Sequence, residues 1–151
     1  MIKIKEIKPT GELPTTIINF EKEVDALYIK MRSGTVEKSI ESYDPVIIDM
    51  TKQNEIYGIE SLERFSDWKI TPSLISPKKF KEASIIFGKE DYKEQDIECQ
   101  INKDKTLLHI RLEPLKPSKY FKIADKVIIG VSKENLLVDF WVIDIPKNTF
   151  I

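Results

Sequence analysis

The sequence predicts an α+β fold that is mainly β: two antiparallel β-meander modules related by an approximate two-fold axis, with one short helix between them. Three observations predict it. Similar stretches recur at a constant offset of 81 residues, apolar and polar side chains alternate with period two inside each stretch, and turn-forming residues separate the alternating runs.

The offset is free of gaps. "VDALYIKM" at 24–31 falls on "KTLLHIRL" at 105–112, with Leu27 on Leu108, Ile29 on Ile110 and Lys30 on Arg111. "DPVII" at 44–48 falls on "DKVII" at 125–129, and "TKQN" at 51–54 falls on "SKEN" at 132–135. Three separated blocks in one register point to an internal duplication. They divide the chain into a first repeat (1–66), a connecting segment (67–95) and a second, diverged repeat (96–151).

Each repeat reads as four or five short strands. The first strand of each is expected at about 16–20 and 97–101, ended by the turns "KEVD" and "NKDK". In the next strand Leu27, Ile29 and Met31 take one face, as Leu108, Ile110 and Leu112 do in the second repeat. "TKQNE" and "SKENL" read as tight turns closed by Asn54 and Asn135, since asparagine tolerates a left-handed backbone. Residues 18–62 and 97–145 are therefore expected to superpose. Ile29, Ile48 and Ile59 would take the same buried sites as Ile110, Ile129 and Phe140, because a one-residue slip would turn every apolar side chain outward. In the connecting segment Ser76-Pro77 reads as a helix start, Phe80, Ala83 and Phe87 recur at helical spacing, and Gly88 closes it. This predicts a helix over 76–88, although "ASIIF" inside it also suits a strand. A lone meander is marginal, and fusing two allows their bare faces to be packed together.

Composition narrows the function classes. The chain has 151 residues, 41% hydrophobic and 32% charged, with 24 basic against 25 acidic side chains. That balance argues against a surface built wholly for nucleic acid, while leaving room for a local basic strip. Nothing resembles a signal core or a membrane-spanning run, and the sequence reads as cytoplasmic. Cys99 is the single cysteine, so no disulfide forms within one chain, and its alternating strand context predicts a small buried side chain. The five glycines never cluster into a phosphate loop. One His, one Cys and scattered carboxylates give no metal-ligand spacing, and no cofactor is expected.

The first repeat resembles a known family. Phe20 and Glu23, the run Asp25, Ala26, Leu27, Tyr28, Ile29, the strand Val46, Ile47, Ile48, Asp49, and Gly58, Ile59, Glu60 follow the pattern of the YuzE-like domain of unknown function, over roughly 18–62. The resemblance implies a small β-rich fold and no established activity. Some relatives are thought to be encoded beside small toxin-like genes, which implies an antitoxin-like or regulatory role by analogy. The second repeat departs from the pattern: Thr106 replaces the first Asp, His109 the Tyr, Gly130 the second Asp and Asp139 the Gly.

The residues offer three functional readings. The favoured one is a non-enzymatic module that binds another protein, acting as a monomer with an internal pseudo-dimer or as a homodimer. Trp141 is its candidate contact residue: it stands where the first repeat has Glu60 and needs cover from the other repeat, the linker or another protein chain, and left in solvent it would be the best contact. That cover is expected at the contact between repeats or beneath 67–95. The second reading is a small hydrolase or nuclease using Asp25, Asp49 and Glu60, since paired carboxylates perform acid–base work. Set against it, Asp25 reads better as a turn former and Glu60 as a solvated strand residue, because the second repeat lacks all three acids. The third is a nucleic-acid edge of Lys116, Lys119, Tyr120 and Lys122, combining charge with stacking. His109, the only histidine, reads as a surface imidazole on the polar face of its strand.

Overall fold

The structure, a computed structural model, describes residues 1–61, 64–90 and 97–151. Thirteen strands are assigned among them: β1 (Ile2–Pro9), β2 (Ile17–Glu21), β3 (Ala26–Lys30), β4 (Lys38–Ile40), β5 (Val46–Met50), β6 (Ile56–Ser61), β7 (Lys69–Ile70), β8 (Lys81–Glu90), β9 (Glu98–Ile101), β10 (Leu108–Arg111), β11 (Lys119–Ala124), β12 (Val127–Val131) and β13 (Leu137–Val142). The fold is mainly β, in two sheets. One has the order β2-β3-β6-β5-β4, the other β1-β8-β11-β12-β13-β10-β9-β7.

The only helical element among the described residues is a single 3-10 turn, Phe65–Asp67. The helix expected over 76–88 is instead the entry to β8, which pairs antiparallel with β1 from Ile2↔Glu90 to Pro9↔Ala83. Ala83 and Phe87 are four residues apart, a spacing that suits one helix face and one strand face equally. Ile85 between them decides the matter, because Ala83, Ile85 and Phe87 are all buried on one side of a strand. Phe80, odd in that count, is left 39% exposed. The α part of the expected α+β class is therefore absent from the described residues. The junction of the connecting segment with the second repeat, 91–96, lies outside them. No helix among the described residues is long and apolar enough to cross a membrane.

Strand register repeats at the 81-residue offset. Ile59 lies between Ile29 and Ile48, and Phe140 lies between Ile110 and Ile129. All six are buried. A bulge between Asp49 and Met50 has its counterpart between Gly130 and Val131. Asn54 and Asn135 both adopt φ +62, and each donates its N–H to the residue that opens the turn, Thr51 or Ser132, at 3.0 Å.

Contacts between the halves run crosswise. The Ile4 N–H of β1 donates to the Asn135 carbonyl at 2.8 Å, and the Phe87 N–H of β8 donates to the Asn54 carbonyl at 2.9 Å. The Thr16 N–H donates to Asp125 Oδ1 at 2.7 Å, and the Ile97 N–H donates to the Asp44 carbonyl at 3.1 Å. Buried residues of both sheets belong to one hydrophobic cluster, with Cys99 among them. Phe150 near the C-terminus stacks on Phe65 at 4.5 Å and meets Phe20 of β2 edge-on at 5.2 Å.

Candidate functional site

The five-stranded sheet gathers four polar side chains on the face opposite the core. Alternation sends Ile29, Ile48 and Ile59 inward, so Tyr28, Asp49 and Glu60 turn outward. Pairing sets Tyr28 beside Glu60, Ile47 beside Glu60, and Ser39 beside Asp49. Asp49 is only 2% exposed. Its Oδ1 accepts a hydrogen bond from Ser39 Oγ at 2.6 Å, and its Oδ2 accepts one from the Tyr28 hydroxyl at 3.4 Å. The Glu60 carboxyl is pushed up to about 7, first by its hydrogen bond with Asp49, then by burial and the charge of Asp49. Burial, followed by the charges of Asp49 and Glu60, drives the Tyr28 phenol well above its usual range.

Gly58 makes this arrangement possible. A Cβ there would lie 2.6 Å from the Ile29 carbonyl oxygen and 3.1 Å from the Tyr28 hydroxyl. With no side chain at 58, the tyrosine can lie across β6 and reach Asp49 on β5.

Asp25 takes different partners. It ends the β2–β3 hairpin with φ +54. Its carboxylate accepts hydrogen bonds from the Ser66 hydroxyl, the Ser66 N–H and Arg64 Nε, while its carbonyl accepts the Phe65 N–H at 2.9 Å. The Ser66 hydroxyl is the main reason its pKa lies below the usual carboxylate value. The structure thus joins two of the three family-pattern acids, Asp49 and Glu60, and gives Asp25 to a turn.

The eight-stranded sheet holds a different set at the matching place, and one expectation is corrected here. His109 is not a surface imidazole: it is 9% exposed, and its Nε2 lies 2.9 Å from Asp139 Oδ2. The second half lacks all three acids at their own positions, yet it carries a carboxylate at this spot. Position 130 is glycine, but Asp139 on the neighbouring strand, paired with Gly130, supplies one. Trp141 is 8% exposed, so its expected burial holds. Its ring partner is His109 on the adjacent strand, stacked at 3.9 Å between centroids and 19° between planes. Asp139 Oδ1 and Trp141 Nε1 are buried without a hydrogen-bond partner among the described residues. Burial, then the charge of Asp139, raises the Tyr120 phenol, with Arg111 opposing. The exchange of Asp and Gly between positions 49 and 58 and positions 130 and 139 is readable in the repeat alignment. That it conserves a carboxylate in place follows only from cross-strand pairing.

The basic residues part company too. Lys116 is exposed in the loop before β11. Lys119 and Tyr120 line a cavity of about 640 Å³ with the chain entering β8. Lys122 Nζ lies 5.6 Å from the centre of the Phe80 ring. The strand carrying them is not an edge: β11 lies between β12 and β8, pairing parallel with β8 at Phe121↔Lys81 and Lys122↔Glu82. Among the described residues, no three His, Cys, Asp or Glu side chains converge on a metal-sized site.

Residues 3–63 match the sequence model of a family described as a protein of unknown function, DUF2283. The match spans β1 to β6 and so covers the Tyr28–Ser39–Asp49–Glu60 network. No curated protein matches the chain.

Proposed function

We propose that the protein is a non-enzymatic, cytoplasmic interaction module of two diverged copies of one YuzE-like meander, with an antitoxin-like or regulatory role exerted by binding another protein. The tandem reading draws support from the shared strand register and bulges at one offset. The crosswise contacts from β1 and β8 to the opposite Asn turns support an internal pseudo-two-fold. One observation carries the binding reading: the connecting segment holds Ile70, Ile75 and Phe80 at 59%, 72% and 39% exposure. Large apolar side chains left in solvent gain by being covered, and Ile70 stands on the edge strand β7, where a partner can reach it. The chemically capable groups on the two outer faces are meanwhile engaged with each other, Ser39 and Tyr28 on Asp49, and His109 on Asp139.

The test uses the whole protein as bait in extract of its source cells. A partner retained in stoichiometric amount, and lost with Ile70→Ser/Ile75→Ser at an unchanged thermal midpoint, supports the module. Absence of any stable partner removes it.

A second reading, a carboxylate-dependent hydrolase, is favoured by Glu60, a carboxyl held near neutral pH beside a second acid. Turnover of chromogenic phosphodiester or glycoside substrates, abolished by Glu60→Gln, would establish it.

A further inference from the structure

The cavity between β8 and β11 has a form and lining that the interaction reading leaves unassigned. The two strands pair at two positions only, Phe121↔Lys81 and Lys122↔Glu82. Upstream of that pairing the chain at Lys79 and Phe80 is not part of a strand, while β11 continues through Lys119 and Tyr120. The result is a fork of about 640 Å³. Its inner lining is apolar, with Ala83 at 2% and Phe121 at 6% exposure. Phe80 and Tyr120 lie further out, and three lysines, Lys79, Lys81 and Lys119, stand exposed around them. Among the described residues, Glu82 is the one acid in the lining.

We infer that this fork is the docking site for a short acidic segment of the partner protein, carrying an apolar anchor residue; the inference rests on the interaction-module reading. An apolar side chain entering the fork would meet Phe80, Tyr120 and Phe121, which all line it. Carboxylates on either side of the anchor then meet the three lysines. The linking feature is charge complementarity: three positive groups against one negative at the mouth of an apolar slot favour an anionic ligand with a greasy centre. A nucleic-acid strand fits less well. Tyr120 is half-buried rather than a free stacking platform, and neither Lys116 nor Lys122 lines the fork. Phe80 belongs to both features, being an exposed apolar residue of the connecting segment and an aromatic wall of the fork.

A phage-displayed library of random ten-residue peptides, selected on the intact protein, tests the inference. The expected outcome is enrichment of peptides with several Asp or Glu residues around a Leu, Ile, Phe or Trp. A fluorescein-labelled peptide from that pool should bind about five-fold or more weaker to Lys119→Glu or Lys79→Glu, and should be lost on Phe80→Ser. These side chains are exposed, so an unchanged thermal midpoint certifies the fold. Selected peptides without an acidic bias, or equal binding to the charge-reversed variants, overturn the inference. So does a labelled oligothymidylate that binds tighter than the peptides and is released by Lys119→Glu, which assigns the fork to nucleic acid. If the peptides fail while partner capture persists and still depends on Ile70 and Ile75, the fork is wrong and the module stands. If both fail, the module falls with it.

Discussion

The carboxylate of Asp139 fills the space above Gly130 on the facing strand: a Cβ at position 130 would lie 2.0 Å from Asp139 Oδ1. In the five-stranded sheet the same pair of positions carries the reverse assignment, Asp49 across from Gly58. At Gly130 the paired carboxyl itself fills the space, whereas at Gly58 the space is taken by the Tyr28 ring, whose hydroxyl donates to Asp49.

Gly130→Ala should therefore destabilise the protein by about 1–3 kcal/mol, because Asp139 must swing away from His109 to make room. Urea denaturation measures this. In a double-mutant cycle with Asp139→Gly, part of the loss should be recovered, whereas additive losses would show that the two positions do not clash. Gly58→Ala should cost at least as much, since the nearest obstruction there is the Ile29 backbone.

Stability should fall as pH rises through the range set by Glu60. Its carboxyl titrates at about 7 in the folded protein against a reference value of 4.5. The folded state thus holds the proton more tightly, and the resulting stabilisation is fully present below 4.5 and lost as pH rises through 7. Partial exposure limits the effect to roughly 1 kcal/mol. Urea midpoints across this pH range should decline for the wild type. They should decline less for Glu60→Gln, whose neutral amide still donates to Asp49 without titrating.

Trp141→Ala should cost about 3–5 kcal/mol, as removal of a buried aromatic does. Trp141→Phe should retain much of the contact with His109 and lose less. An unchanged denaturation midpoint for Trp141→Ala would place that side chain outside the packed interior.

Asn54→Ala and Asn135→Ala should each lose about 1–2 kcal/mol, because alanine resists the left-handed backbone both turns require. Replacement by glycine should be close to neutral at both sites. Matched effects at the two positions would support the tandem reading, and a large difference would count against equivalent turns.

The sequence by itself determined which residues face the core. Period-two alternation and turn chemistry are local: successive strand side chains point to opposite faces, and an asparagine closing a turn depends on its own backbone. Ile29, Ile48, Ile59, Ile110, Ile129 and Phe140 were all legible as buried for that reason, as were the turns at Asn54 and Asn135. What lies beside each residue on the next strand is not local. The strand at 81–90 could not be told from a helix because Ala83 and Phe87 satisfy both periods, and pairing with β1, about eighty positions away, decided it. The stacking of Trp141 on His109, the separation of Asp25 from Asp49 and Glu60, and the placing of Asp139 over Gly130 are set by cross-strand register. The fork at Phe80 exists only because β8 comes to lie parallel to β11. Periodicity assigns a side chain to a face of its strand, and only the assembled sheets assign its neighbours, because those neighbours are brought together by pairing between distant segments.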